Sequence, residues 1–208
     1  MKFQLSTSPL RLESPSPSAI SDFMDIVEIT KAAALAEIKK HGTPSKLHLE
    51  ISLSKAIELA GELGADRFVV ELGAILMDFK LGEATELRKK EEHAELSVAA
   101  AEKLLHGLLD SEKLGKVLAC IKEHHSQSFS YIESEICANA DCYRFLSPRG
   151  FLSFLHSLGN KKMSFKDSLV YAEEKAEEKW AILSLPQCKE ELEPFYKQIK
   201  EFIRLAKA

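Results

Sequence analysis

The stretch ELGAILMDFK, residues 71–80, places a carboxylate, Asp78, directly after an apolar run ending in Leu76 and Met77. Read outward from it, Phe68, Val69, Val70, Leu72, Ala74 and Ile75 are apolar too, so a helix over 67–79 is apolar on nearly every side. A helix of that kind belongs in the centre of a bundle. Ala65-Asp66 supplies its start. A carboxylate delivered to the buried end of such a helix is costly unless something compensates its charge.

The flanking sequence has the same helical period. Leu49, Leu53, Ala56, Ile57, Ala60 and Leu63 form an amphipathic stripe on a second helix, begun by Pro44-Ser45 and closed by Gly64. A first helix is expected over 21–40, with HGTPSK (41–46) as a turn. KLGEATELRKKEE (80–92) reads as a charged connection. Further helices are expected from His93 to about Leu109, and over 111–125, 132–146, 150–158, 164–183 and 188–206. No stretch alternates as a strand with hairpin turns, so the class is all-α. Residues 1–18, rich in Ser and Pro, read as a flexible tail.

Composition narrows the function. The 208 residues suit one domain, and 45% hydrophobic with 29% charged residues is ordinary for a globular chain. A net charge of −4 without a basic stripe gives no DNA or RNA footprint. No apolar run reaches the roughly 20 residues of a membrane span, and the N-terminus lacks the apolar core of a signal peptide. Cys120, Cys137, Cys142 and Cys188 form no CxxC pair and read as buried reduced thiols. A cytoplasmic protein is expected, and its oligomeric state is left open.

The informative polar residues sit at the ends of apolar stripes: His48, Asp78, His93, His124 with His125, and Asp141. In an antiparallel bundle alternate helix ends meet, so these side chains can converge. Imidazole nitrogens with carboxylate oxygens make a shell for Mn, Fe, Ni, Co or Zn. Each has a plainer reading as well. Asp78 can cap the following loop, Asp141 can be solvated, and the histidine pair can complement a helix dipole. The acidic runs EEKAEEK and KEELEP read as solvated helix faces.

In order and spacing these residues resemble the HD-domain superfamily of metal-dependent phosphohydrolases. HLEISLSKAIELAGELGADRFVVELGAILMDF is similar to the family's first-histidine helix followed by the helix ending in its His-Asp doublet. EEHAELSVAAAEKLL, VLACIKEHH and IESEICANADCYRFL are similar to the segments carrying further histidines and the last aspartate. The resemblance implies an HD-like helical domain over 19–160, with C-terminal helices (161–208) packed on it. It implies His48, Asp78, His93, His124 and Asp141 as metal ligands, with Asp78 also catalytic. His125, Lys80 and Lys122 are the implied second-shell or phosphate contacts.

The departure is at the doublet, where Met77 stands for the histidine. A thioether is soft and neutral and lends little to a hard ion. One divalent ion or none is therefore expected. The implied function is metal-dependent hydrolysis of a phosphomonoester or nucleotide at an altered site. The alternative is an inactive HD-fold module that binds a nucleotide or a protein partner.

Overall fold

The computed structural model describes residues 17–160 and 162–207. The tail expected over 1–18 lies outside the described residues, apart from 17 and 18, which open the first helix. The elements are α1 (Pro17–His41), α2 (Lys46–Leu63), α3 (Arg67–Leu76), α4 (Leu81–Glu86) and α5 (His93–Leu105). They continue with α6 (Ser111–Glu123), α7 (Ile132–Leu146), α8 (Pro148–Asn160), α9 (Phe165–Ile182) and α10 (Pro186–Ala206). Every regular element among the described residues is helical, and none is long and apolar enough to cross a membrane.

The helix starts follow local chemistry. The Ser45 hydroxyl accepts from the His48 amide and begins α2, and Gly64, at φ 66°, ends it in the left-handed region. The Asp66 carboxylate accepts from the amides of Phe68 and Val69 and begins α3. Asp110 does the same for α6 through the Lys113 amide. These caps satisfy amide donors that the first helical turn leaves without partners.

α1 begins four residues before the expected 21 and α5 ends at Leu105 rather than about Leu109, but the differences that shape the site lie between α3 and α5. α3 stops at Leu76 rather than 79: Phe79 donates to the Leu76 carbonyl and Leu81 to that of Asp78, so the chain tightens into a turn over 77–80. The 80–92 connection contains α4 and a 3-10 turn, Lys90–Glu92. Leu81, Gly82 and Ala84 are buried beneath the charged residues of α4, too small an apolar set to show a period.

α3 and α7 make the centre. α3 packs against α1, α2, α6 and α7, while α7 also meets α8, α9 and α10. Val69, Val70, Leu72 and Leu76 have no exposed surface, nor do Ile136, Cys137, Ala138, Ala140 and Cys142 on α7. Burying each large aliphatic side chain stabilises the bundle by roughly 1.5–3 kcal/mol. A Cβ at Gly73 would stand 2.5 Å from the Cys120 Cβ, so only glycine lets α3 and α6 approach this closely. All four cysteines are buried and free, as the sequence indicated.

Candidate functional site

The turn after α3 delivers Asp78 to one end of the bundle, where it is 8% exposed. The first turn of α5 brings His93 and the end of α6 brings His124 and His125. Asp141 and Arg144 come from adjacent turns of α7, and Lys179 from α9. His48, in the first turn of α2, lines the same cleft, its ring 6.2 Å from that of Phe145.

Six of these side chains close a ring. His93 Nε2 lies 3.3 Å from Asp78 Oδ1. Asp78 Oδ2 pairs with Arg144 Nη1, and the same nitrogen donates to Asp141 Oδ1 at 2.6 Å. Lys179 Nζ pairs with Asp141 Oδ2 at 2.7 Å and reaches His125 Nδ1 at 2.8 Å. His125 Nε2 returns to His93 Nε2 at 3.3 Å. His124 braces the ring from inside the bundle, its Nε2 being 3.3 Å from His93 Nε2 and 3.8 Å from Asp78 Oδ1.

Charge sets the protonation states. Burial opposes ionisation of both aspartates. Arg144, His93 and His124 nonetheless hold Asp78 well below the usual carboxylate range, and Lys179 and Arg144 do so for Asp141. Burial would also discharge Lys179 and Arg144, yet the facing carboxylates keep both charged. Burial works against a proton on His93, but Asp78 outweighs it and raises its pKa. Burial keeps His124 neutral, and burial with His124 and Lys179 lowers His125 to about 2.

Two of the histidines that the sequence singled out, His93 and His124, have the orientation a ligand needs. His93 Nδ1 lies 2.7 Å from the Lys90 carbonyl and His124 Nδ1 2.7 Å from that of Ile121. A carbonyl only accepts, so each Nδ1 carries hydrogen and turns Nε2 inward, the second-shell arrangement of metal-binding histidines. One nitrogen from each of His93, His124 and His125 lies within 4.8 Å of the others, so by spacing this group could hold a divalent ion once the hydrogen bond from Lys179 to His125 is given up.

The position between the two aspartates is different. Arg144 Nη1 pairs with one oxygen of each of Asp78 and Asp141, and Lys179 takes the remaining Asp141 oxygen. A divalent ion does not fit there beside two buried cations that already neutralise both carboxylates. Met77, 1% exposed, lines a small cavity with Ala34, Ile38, Leu49 and Ser52. The charge on the two aspartates is balanced by Arg144 and Lys179.

Above the ring opens a cleft of about 930 Å³. Phe145, Phe154 and Tyr171 form an aromatic ladder along it, with ring centroids 5.0 and 5.9 Å apart. Lys90 and Lys175 stand at its edge beside Tyr171. The two lysines expected as phosphate contacts lie elsewhere: Lys80 Nζ pairs with Glu37 and Glu83, each at 3.0 Å, and Lys122 is exposed on α6. Neither lines the cleft.

Arg144 and Lys179 were missed from the sequence. Lys179 lies inside EEKAEEK, read as a solvated face, yet it is 1% exposed. Its signal was available: Leu169, Ala172, Ala176, Lys179 and Leu183 follow a 3-4 spacing, which sets the lysine in the apolar stripe.

No family model and no curated protein matches the chain. Solved structures do. The crystal structure of Bacillus subtilis YpgQ is similar at TM-score 0.65 and 17% identity, covering 88% of this chain and 95% of that one. YpgQ in complex with ADP is similar at TM-score 0.66 and 17% identity, covering 89% and 95%. A predicted HD superfamily hydrolase from an uncultured Thermotogales bacterium is similar at TM-score 0.53 and 18% identity, covering 73% and 83%. The HD-domain expectation therefore holds at the level of the fold.

Proposed function

We propose that this protein is an HD-fold module that binds a nucleotide or another phosphorylated small molecule in the cleft without metal-dependent hydrolysis. The observation that carries the reading is the closed ring. Its two cations sit on the two aspartates where a hydrolytic ion and its activated water would be needed. The cleft has the parts for such a ligand: Lys90 and Lys175 at the edge for phosphate, and the Phe145–Phe154–Tyr171 ladder as an apolar face for a base. The similarity to YpgQ, which was solved with ADP, supports the ligand class.

The experiment is calorimetric titration with ADP in the presence of EDTA. Saturable binding is expected, weakened about tenfold or more in a Lys90→Glu, Lys175→Glu variant. No binding at millimolar ADP would reject the reading.

One observation favours metal-dependent hydrolysis instead: the convergence of His93, His124 and His125 beside Asp78. Phosphate release from ADP or p-nitrophenyl phosphate with added Mn²⁺ or Ni²⁺, abolished by His93→Gln, would establish that alternative.

A further inference from the structure

We infer that Arg144 and Lys179 are this chain's built-in substitute for a divalent ion at the aspartate pair, so that removing the two cations uncovers a metal site which the native protein lacks.

The argument starts from charge. Asp78 and Asp141 are two buried carboxylates whose joint charge of −2 needs a joint +2, the charge of one divalent ion. Arg144 and Lys179 supply two unit charges on fixed stems. Arg144 Nη1 bridges one oxygen of each aspartate, as a bridging ion would, and Lys179 Nζ takes the second oxygen of Asp141 at 2.7 Å. Both side chains are almost wholly enclosed, Arg144 at 5% and Lys179 at 1% exposure, so neither is a surface charge that swings in by chance.

The two cations are placed by different elements. Arg144 lies one turn after Asp141 on α7, and the i, i+3 step sets their side chains on one face. Lys179 comes across from α9 on a stripe that is otherwise apolar, with Ala172, Ala176 and Ile182 buried beside it. Two helices each contributing one cation to the same two carboxylates is a built arrangement.

The same lysine reaches past the aspartate. An ammonium has only hydrogens to offer, so His125 Nδ1 must accept from it. The neutral imidazole then carries its hydrogen on Nε2, the nitrogen that faces His93. Lys179 thus sets His125 as a donor toward the cluster and removes a third imidazole ligand. Its placement denies a metal both the aspartate pair and His125.

This concerns the aspartate position alone and holds whether or not the cleft takes a nucleotide. The test is Co²⁺ titration followed by visible absorption and metal content. The Arg144→Gln, Lys179→Gln variant, checked for a cooperative melt, is expected to bind one more Co²⁺ per chain than the native protein and to melt at least several degrees higher with Co²⁺ than with EDTA. A folded variant that takes up no more Co²⁺ than the native chain overturns the inference.

A second measurement keeps both cations in place. With His93→Gln and His124→Gln removing the histidine position, no Co²⁺ is expected to be retained after gel filtration. Retention of one Co²⁺ per chain, released by EDTA, would show an ion at the aspartates beside Arg144 and Lys179 and would equally overturn it. ADP affinity plays no part in either readout, so a failed nucleotide titration leaves this result standing.

Discussion

A pair of carboxylates in the core and another near the surface are each spanned by one of the chain's own cations. In the core Asp78 and Asp141 share Arg144, with Lys179 added. Near the surface Glu37 and Glu83 share Lys80, at 3.0 Å to each, and with His41 they form a second group that could touch one ion. The connectivity is alike and the surroundings are not. The Asp141 and Lys179 side chains are both 1% exposed, whereas those of Lys80 and Glu83 are 21% and 41% exposed. Water can replace either partner of the outer bridge. Nothing can replace a partner of the inner one, so its worth lies in what its removal leaves stranded.

The largest effect should come from breaking the inner bridge. Lys179→Met, which keeps the apolar stem, is expected to lower the free energy of unfolding by about 3 kcal/mol, because Asp141 is left buried with a single cation. Urea denaturation reads this directly. A loss under about 1 kcal/mol would mean that the two bridges are energetically alike.

Acidity separates the two next. Asp78 and Asp141 titrate lower folded than unfolded, so their contribution is complete above their ordinary value of 3.8 and is lost as pH falls through the lowered values. His124 and His125 also titrate lower than their ordinary 6.5. Below 6.5 the unfolded imidazoles take up protons that the folded ones refuse, and stability falls with pH there. His93 is raised, so its contribution is present below 6.5 and is lost as pH rises through the raised value. Two against one, the urea midpoint should rise from about pH 5 to pH 7 and decline above that as His93 deprotonates. A midpoint flat across this range would mean that the ring is indifferent to protonation. Glu83, lowered chiefly by its hydrogen bond from Lys80, contributes above its ordinary 4.5 and loses this as pH falls further.

The smallest effects belong to the outer bridge. Lys80→Met should cost about 0.5 kcal/mol, and 1 M NaCl should remove most of that difference. The Lys179→Met loss should change little in the same salt, since a buried pair is poorly screened.

Much of this was legible in the sequence and part of it was not. The run from Phe68 to Met77 marked the central helix, and the Ser45, Asp66 and Gly64 signals marked ends that the structure keeps. α4 was not legible, because Leu81, Gly82 and Ala84, its three buried residues, carry no period in a segment that is otherwise almost wholly charged or polar. His93, His124, Asp78 and Asp141 could be picked out as polar groups on apolar stripes, and the fold sets them side by side. Arg144 and Lys179 escaped for a physical reason. Charged residues on helices are nearly always outside, so composition argues for solvent, and only the register of Lys179 among Leu169, Ala172 and Ala176 argued the other way. Met77 before Asp78 was visible. The guanidinium that pairs with Asp78 lies 67 positions after Met77, a distance over which spacing says nothing.

Because Asp78, Asp141, Arg144 and Lys179 balance one another, no single one of them can drift. Replacing either cation strands a carboxylate, and neutralising either aspartate strands a cation. A change at this ring that keeps the fold therefore takes two substitutions at once, one on each side of the charge balance, and that requirement holds the pocket in its present form.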